Sequence, residues 1–185
     1  MVIWVIVLIA LLVTLVAVSC CNAASRADEM SERFFQSATE IDSTTTSNPV
    51  VHYPVPLEQD LQDYIVSKSI EAGVSPCVVF GIIDVETYGT FNPELVGDNG
   101  NSFGLMQIYR SCHEDRIQRL GIDNLYDPYQ NVTVGIDLLG ELLRSYTIEE
   151  SLNFYNSGSI TGAPHYAELV MTRAEQIEEG IMVTE

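Results

Sequence analysis

The sequence predicts an all-α, α-dominated domain over residues 56–178. Three observations predict it. Apolar residues recur at helical spacing from Leu57 onward, caps and glycine stops punctuate those stretches, and no run alternates long enough to need a sheet. At 185 residues, 46% of them hydrophobic, the chain has room for one ordinary domain with a real core.

Two segments precede that domain. Val2 to Ser19 is a nearly unbroken apolar run, interrupted at Thr14. About 20 such residues span a bilayer, so residues 1–21 read as a transmembrane anchor or a signal segment. Cys20 and Cys21 stand where a lipidated cysteine would follow such a run. An uncleaved anchor, a lipoprotein and a cleaved signal all remain open, the anchor being the first expectation. Residues 22–55 read as a linker, rich in Ser and Thr from Ser37 to Pro49 and stiffened by Pro54 and Pro56. A coil of that length wanders on the order of 30 Å, which suits a domain held near a membrane while reaching away from it.

Within the domain, Leu57, Leu61, Tyr64 and Ile65 share a helical face that Gly73 brings to a stop. Ser75 and Pro76 then supply a cap and a first-turn proline for Cys77 to Val85. This second stretch is apolar nearly all round and should be the buried central helix, with Glu86 at its C-terminal end. A loop rich in Gly and Asn runs from Tyr88 to Phe103. Ser111 and Glu114 have the spacing of a capping box for a short helix ending near Gly121. Asp127, Pro128 and Gln130 start a longer helix to about Arg144, with Val132, Ile136, Leu139 and Leu143 inward. Ser151 to Asn156 is a short element, Ala163 to Glu178 the last helix, and 179–185 a tail.

Charge limits the partners. The formal net charge is −18, and Lys68 is the lysine of a chain with 8 basic against 26 acidic residues. Phosphate binding needs clustered Lys and Arg, so nucleic acid is not an expected partner. His52, His113 and His165 lack metal-ligand spacing, and neither a metal nor another cofactor is expected. Cys77 and Cys112 either form a disulfide, which export would permit, or act as two small buried hydrophobes.

Two features can carry chemistry. Glu86 closes an apolar helix containing Phe80, Ile82 and Ile83, and burial raises a carboxyl pKa toward the value a general acid needs. Asp84, two positions earlier, points elsewhere on the helix. The second feature is Gly97-Asp98-Asn99-Gly100-Asn101-Ser102-Phe103-Gly104-Leu105-Met106-Gln107-Ile108. Its glycines permit tight turns and close backbone approach, while Leu105, Met106 and Ile108 can pin it to a core and leave the Gln107 amide projecting.

Glu86, Gly104-Leu105-Met106-Gln107 and Tyr155-Asn156 stand in the order and spacing of the soluble-type lytic transglycosylases. The chain resembles that family over about residues 57–175. Phe91-Asn92-Pro93, Asp127-Pro128, Asn131 and Gly135 look like further parts of the same pattern, and the Gly97-Asp98 to Gln107 stretch is closer to goose-type lysozyme. The resemblance implies a lysozyme-like fold and cleavage of the β-1,4 bond between N-acetylmuramic acid and N-acetylglucosamine in peptidoglycan strands. It implies Glu86 as acid/base and Asp98 as a positioner of water. Gln107, Tyr155, Asn156, Met106 and Ser102 are the implied substrate-binding residues.

There are departures. Thr87 stands where the family usually has Ser, Tyr88 and Gly89 lengthen the loop before Phe91 by two residues, and Asn153-Phe154 replaces small or apolar residues. The expected outcome is a non-hydrolytic cut, with goose-type hydrolysis as the alternative. A glycan-gripping, non-catalytic component of cell-envelope machinery is a third reading. In all three the domain lies outside the cytoplasm, anchored or secreted. Other motifs read as ordinary. Ser102 has no Gly-x-Ser-x-Gly setting. Asn131-Val132-Thr133 fits a glycosylation sequon but is expected to serve the helix start. Tyr109, Tyr126, Tyr129 and Tyr146 should be core or cleft walls, with one of them available to stack on a sugar ring.

Overall fold

The computed structural model describes residues 50–184. The apolar segment 1–21 and most of the 22–55 stretch lie outside the described residues. Six α-helices carry the described part: α1 (Gln59–Ala72), α2 (Pro76–Glu86), α3 (Glu114–Leu120), α4 (Pro128–Leu143), α5 (Ile148–Ser157) and α6 (Pro164–Glu179). None of them alone is long and apolar enough to cross a membrane.

Helix α2 is the core element. Every residue from Pro76 to Ile83 is buried, with Val79, Phe80, Ile82 and Ile83 at 0% exposure. Burying one such side chain contributes about 1.5–3 kcal/mol, so these two turns are a main source of stability. Its most extensive partner is α6. There Gly81 permits backbone contact: a Cβ at Gly81 would lie 2.8 Å from the Val170 carbonyl oxygen. Helix α1 buries Leu61 and Ile65 and packs on α4, ending at Gly73 in the left-handed region. Proline sits in the first turn of α2, α4 and α6.

Helix starts differ from expectation in two places. Ser111 makes no capping box. It lies in a 3-10 turn, Arg110–Cys112, which delivers His113 rather than Ser111 to the N-cap of α3. The capping box is at α5 instead: the Thr147 hydroxyl accepts from the Glu150 N–H, and the Glu150 carboxylate accepts from the Thr147 N–H. Helix α5 therefore begins at Ile148, three residues before the expected Ser151. Asp127 caps α4 as expected, its carboxylate accepting from the Gln130 N–H at 2.9 Å. Val132, Ile136 and Leu139 point inward, but Leu142 is buried where Leu143 is only half-buried.

The structure adds two small sheets to the helical plan. β2 (Val96–Gly97), β3 (Ser102–Phe103) and β4 (Ile108–Tyr109) form an antiparallel meander inside the Gly/Asn-rich loop. At two residues each, the strands are too short to show alternation in a sequence. β1 (Val50–His52) pairs antiparallel with β5 (Met182–Thr184). The folded unit thus reaches into the stretch expected as linker and into the expected tail. Tyr53 explains the extension: it is buried, its ring centroid lies 4.8 Å from that of Phe80, and its N–H donates to Gln62 Oε1.

The disulfide does not form. Cys77 and Cys112 are both free thiols. Cys77 faces the core from the first turn of α2, where burial pushes its thiol up to about 12, whereas Cys112 is exposed on the 3-10 turn. Cys77 fits the alternative of a small buried hydrophobe; Cys112 does not.

Candidate active site

Glu86 is the last residue of α2, so the same apolar turns that build the core deliver its carboxyl to the edge of a cleft. Burial pushes its pKa up to about 7. The hydroxyl of Tyr166 on α6 donates to Glu86 Oε1 at 2.7 Å and pulls the other way, while the charge of Asp98 adds to the rise. Desolvation wins because the neutral carboxyl is the form that tolerates low dielectric. Burial and the neighbouring Glu86 also hold the hydroxyl protons of Tyr155 and Tyr166 well above the usual range, so both stay hydrogen-bond donors.

The chain leaves Glu86 through a tight turn. Thr87 is fully buried; its hydroxyl donates to the Ile83 carbonyl at 2.6 Å and accepts from the Phe91 N–H at 3.0 Å. The hydroxyl is what the position requires, and threonine supplies it as serine would. Asp98, Asn99 and Gly100 then turn between β2 and β3, all three at positive φ. Asx and glycine residues accept that conformation most readily.

One asparagine on α4 holds this loop to the helices. Asn131 is fully buried, its amide donating to the Phe103 and Leu125 carbonyls and accepting from the Met106 N–H, all within 2.8–2.9 Å. It is therefore neither a glycosylation acceptor nor a helix cap. Gly104 makes the arrangement possible: its φ is +76°, and a Cβ there would collide with the Asn131 amide.

The cleft has a volume of about 400 Å³. The structure brings Glu86, Asp98, Ser102, Gln107, Tyr155 and Asn156 together on its walls, with Tyr88, Tyr109 and His113 beside them. Neither lysine nor arginine is among these lining residues. Ser102 donates its hydroxyl to the Asp98 carboxylate across the turn. Gln107 sits at a strained φ of 44°, and its amide N–H groups are taken by the Leu95 and Gly104 carbonyls. Only its oxygen is left for a ligand, so it acts first as a buckle of the loop. The Tyr155 hydroxyl donates to the Met106 carbonyl at 2.8 Å, tying α5 to the same loop.

Met106 is the exception among the expected ligand contacts. Its side chain is fully buried against Gly135 of α4, with no surface toward the cleft. It is a core residue whose backbone serves the site. Two residues of the site, one behind Glu86 and one in the cleft wall, have no signal in the sequence. Tyr166 lies 80 positions from its partner Glu86 and is one aromatic among several on an amphipathic helix, with no local signal. His113 stands isolated in the sequence, yet it is half-buried in the cleft wall, where burial and then Arg116 hold its pKa down. Among the described residues no group of three His, Cys, Asp or Glu side chains is placed to hold a metal ion.

The helical domain thus carries a half-buried carboxyl from the end of its central helix to the edge of a polar cleft. Residues 63–164 match the model of the transglycosylase SLT domain, and the chain belongs to that family. A transglycosylase of Enterobacteria phage PRD1 is 32% identical over 96 residues, covering 51% of this chain. The match spans about a third (34%) of that relative's length.

Proposed function

We propose that this chain is a peptidoglycan lytic transglycosylase of lysozyme-like fold that cuts the β-1,4 bond between N-acetylmuramic acid and N-acetylglucosamine. The observation that carries the reading is the Glu86 carboxyl, pushed up to about 7 in a cleft lined by hydrogen-bonding side chains, with the Asp98 carboxylate on the same wall. A carboxyl with that pKa holds its proton near neutral pH and can give it to the glycosidic oxygen as the bond to the anomeric carbon breaks. Glu86, now a carboxylate, takes the proton of the muramyl 6-hydroxyl as that oxygen bonds to the anomeric carbon. The products are a free N-acetylglucosamine 4-hydroxyl and a 1,6-anhydromuramyl end, with no water consumed. Tyr166 holds Oε1 in place throughout.

Asp98 favours a second reading, goose-type hydrolysis. Its carboxylate lines the same cleft and its charge is felt at Glu86. An inverting hydrolase needs its two carboxyls about 6.5–9.5 Å apart, with a water between. Mass analysis of digested cell wall separates the routes: anhydro ends support transglycosylation, and reducing ends heavier by one water support hydrolysis. Glu86→Gln should cut lytic activity about 10²–10⁴-fold while the protein folds and still binds glycan. Equal lysis by variant and wild type would end both readings. The same proposal puts the domain outside the cytoplasm, tethered or exported through residues 1–21; recovery of the full chain in the soluble cytosolic fraction alone would contradict that.

A further inference from the structure

Next to Glu86 the cleft carries a side chain that neither the packing nor the proposed chemistry uses. Tyr88 is 87% exposed, the most exposed large apolar residue among those described, and it lines the cleft. Its φ is 54°, a left-handed conformation that a bulky side chain adopts only at a cost. Among the described residues its hydroxyl makes no hydrogen bond and its ring meets no other ring. The turn beneath it is nevertheless fixed. The Gly89 N–H donates to the Asp84 carbonyl at 2.8 Å, the Thr90 N–H to the Thr87 carbonyl at 3.0 Å, and Phe91 is buried. A strained aromatic held in solvent by a rigid turn, at the lip of a cleft, is arranged for a ligand and not for the core.

We propose that Tyr88 is a stacking platform for a sugar ring in the subsite beside the bond that Glu86 acts on. The proposal rests on the glycan-cleaving reading above. A pyranose offers an apolar face of C–H groups, and a tyrosine ring covers such a face with little conformational entropy to lose. Tyr88 belongs to the two-residue lengthening that sets this loop apart, so the platform is a property of this chain's own turn.

The test uses N-acetylchitotetraose, an uncharged probe, titrated into the Glu86→Gln protein, chosen so that cutting is slow on the timescale of the titration. Adding Tyr88→Ala or Tyr88→Gly should weaken binding about five- to tenfold, and Tyr88→Phe should stay within about twofold. With Glu86 intact, Tyr88→Ala should raise KM on cell wall by a similar factor and leave kcat nearly unchanged, because stacking acts on ground and transition states alike. Tyr88→Gly should keep or raise the melting temperature, since glycine adopts the left-handed turn freely.

Unchanged affinity in Tyr88→Ala, no measurable probe binding by Glu86→Gln alone, or a drop of several degrees in Tyr88→Gly would each overturn the platform. Lysis by Glu86→Gln at the wild-type rate would instead overturn the catalytic reading, leaving the binding result to stand by itself.

Discussion

At Glu86 activity and stability are opposed. An ordinary glutamate titrates at 4.5 and this one at about 7, so between those values the folded chain holds a proton that the unfolded chain has lost. Folding stability from this group therefore falls as pH rises from about 4.5 to about 7, and the full penalty is present above that. Each pH unit between the two values is worth about 1.4 kcal/mol, giving an upper bound of about 3.5 kcal/mol. Glu86→Gln should accordingly melt higher than wild type at pH 8 and match it below pH 4, as thermal denaturation across pH would measure. The neighbours tune the same proton. The Tyr166 hydroxyl stabilises the charged form, so Tyr166→Phe should move the alkaline limb of the pH–activity profile upward. Asp98 raises the pKa, so Asp98→Asn should move that limb downward. Asp98→Asn should also harm a hydrolase severely and a transglycosylase mildly, which separates electrostatic tuning from water positioning.

Among the elements, the loop of β2 to β4 depends on α4 through a single side chain. Asn131→Ala would strand the Phe103 and Leu125 carbonyls and the Met106 N–H, three backbone groups in the interior. An unpaired buried group costs about 1–3 kcal/mol, so a loss of about 3 kcal/mol is expected, visible in denaturant unfolding. Activity should fall further than stability explains, because the same loop carries Asp98, Ser102 and Gln107 into the cleft. Helix α3 is held differently, by ion pairs from Arg116 to Asp137 and Glu141 and from Arg119 to Asp137. Arg119 and Glu141 are largely exposed, and pairs of that kind contribute at most about 1 kcal/mol.

Over the whole molecule, the ends of the described chain are part of the domain. A protein starting at Pro54 would lack β1 and the Tyr53 ring that packs on Phe80. Loss of a buried aromatic costs about 3–5 kcal/mol, so that protein should be less stable than one starting at residue 50 by about that amount in denaturant titration. The sequence by itself determined the helical class, the extents of α1, α2, α4 and α6 to within a few residues, and the family. Helix periodicity, prolines, caps and ordered motifs are local signals, and they survive without tertiary information. It also pointed to Glu86, through the ordered motifs that align it with the family's acid/base, since a carboxylate closing an apolar helix is by itself a weak signal. Tertiary structure alone decided the rest. Tyr166 reaches Glu86 only because Gly81 lets α2 and α6 touch, Met106 turns to the core because Gly135 opens a space for it, and Val50–His52 becomes a strand because Met182–Thr184 arrives beside it. Each of these depends on residues 29 to more than 100 positions apart, and packing between distant segments leaves no periodic trace in a chain.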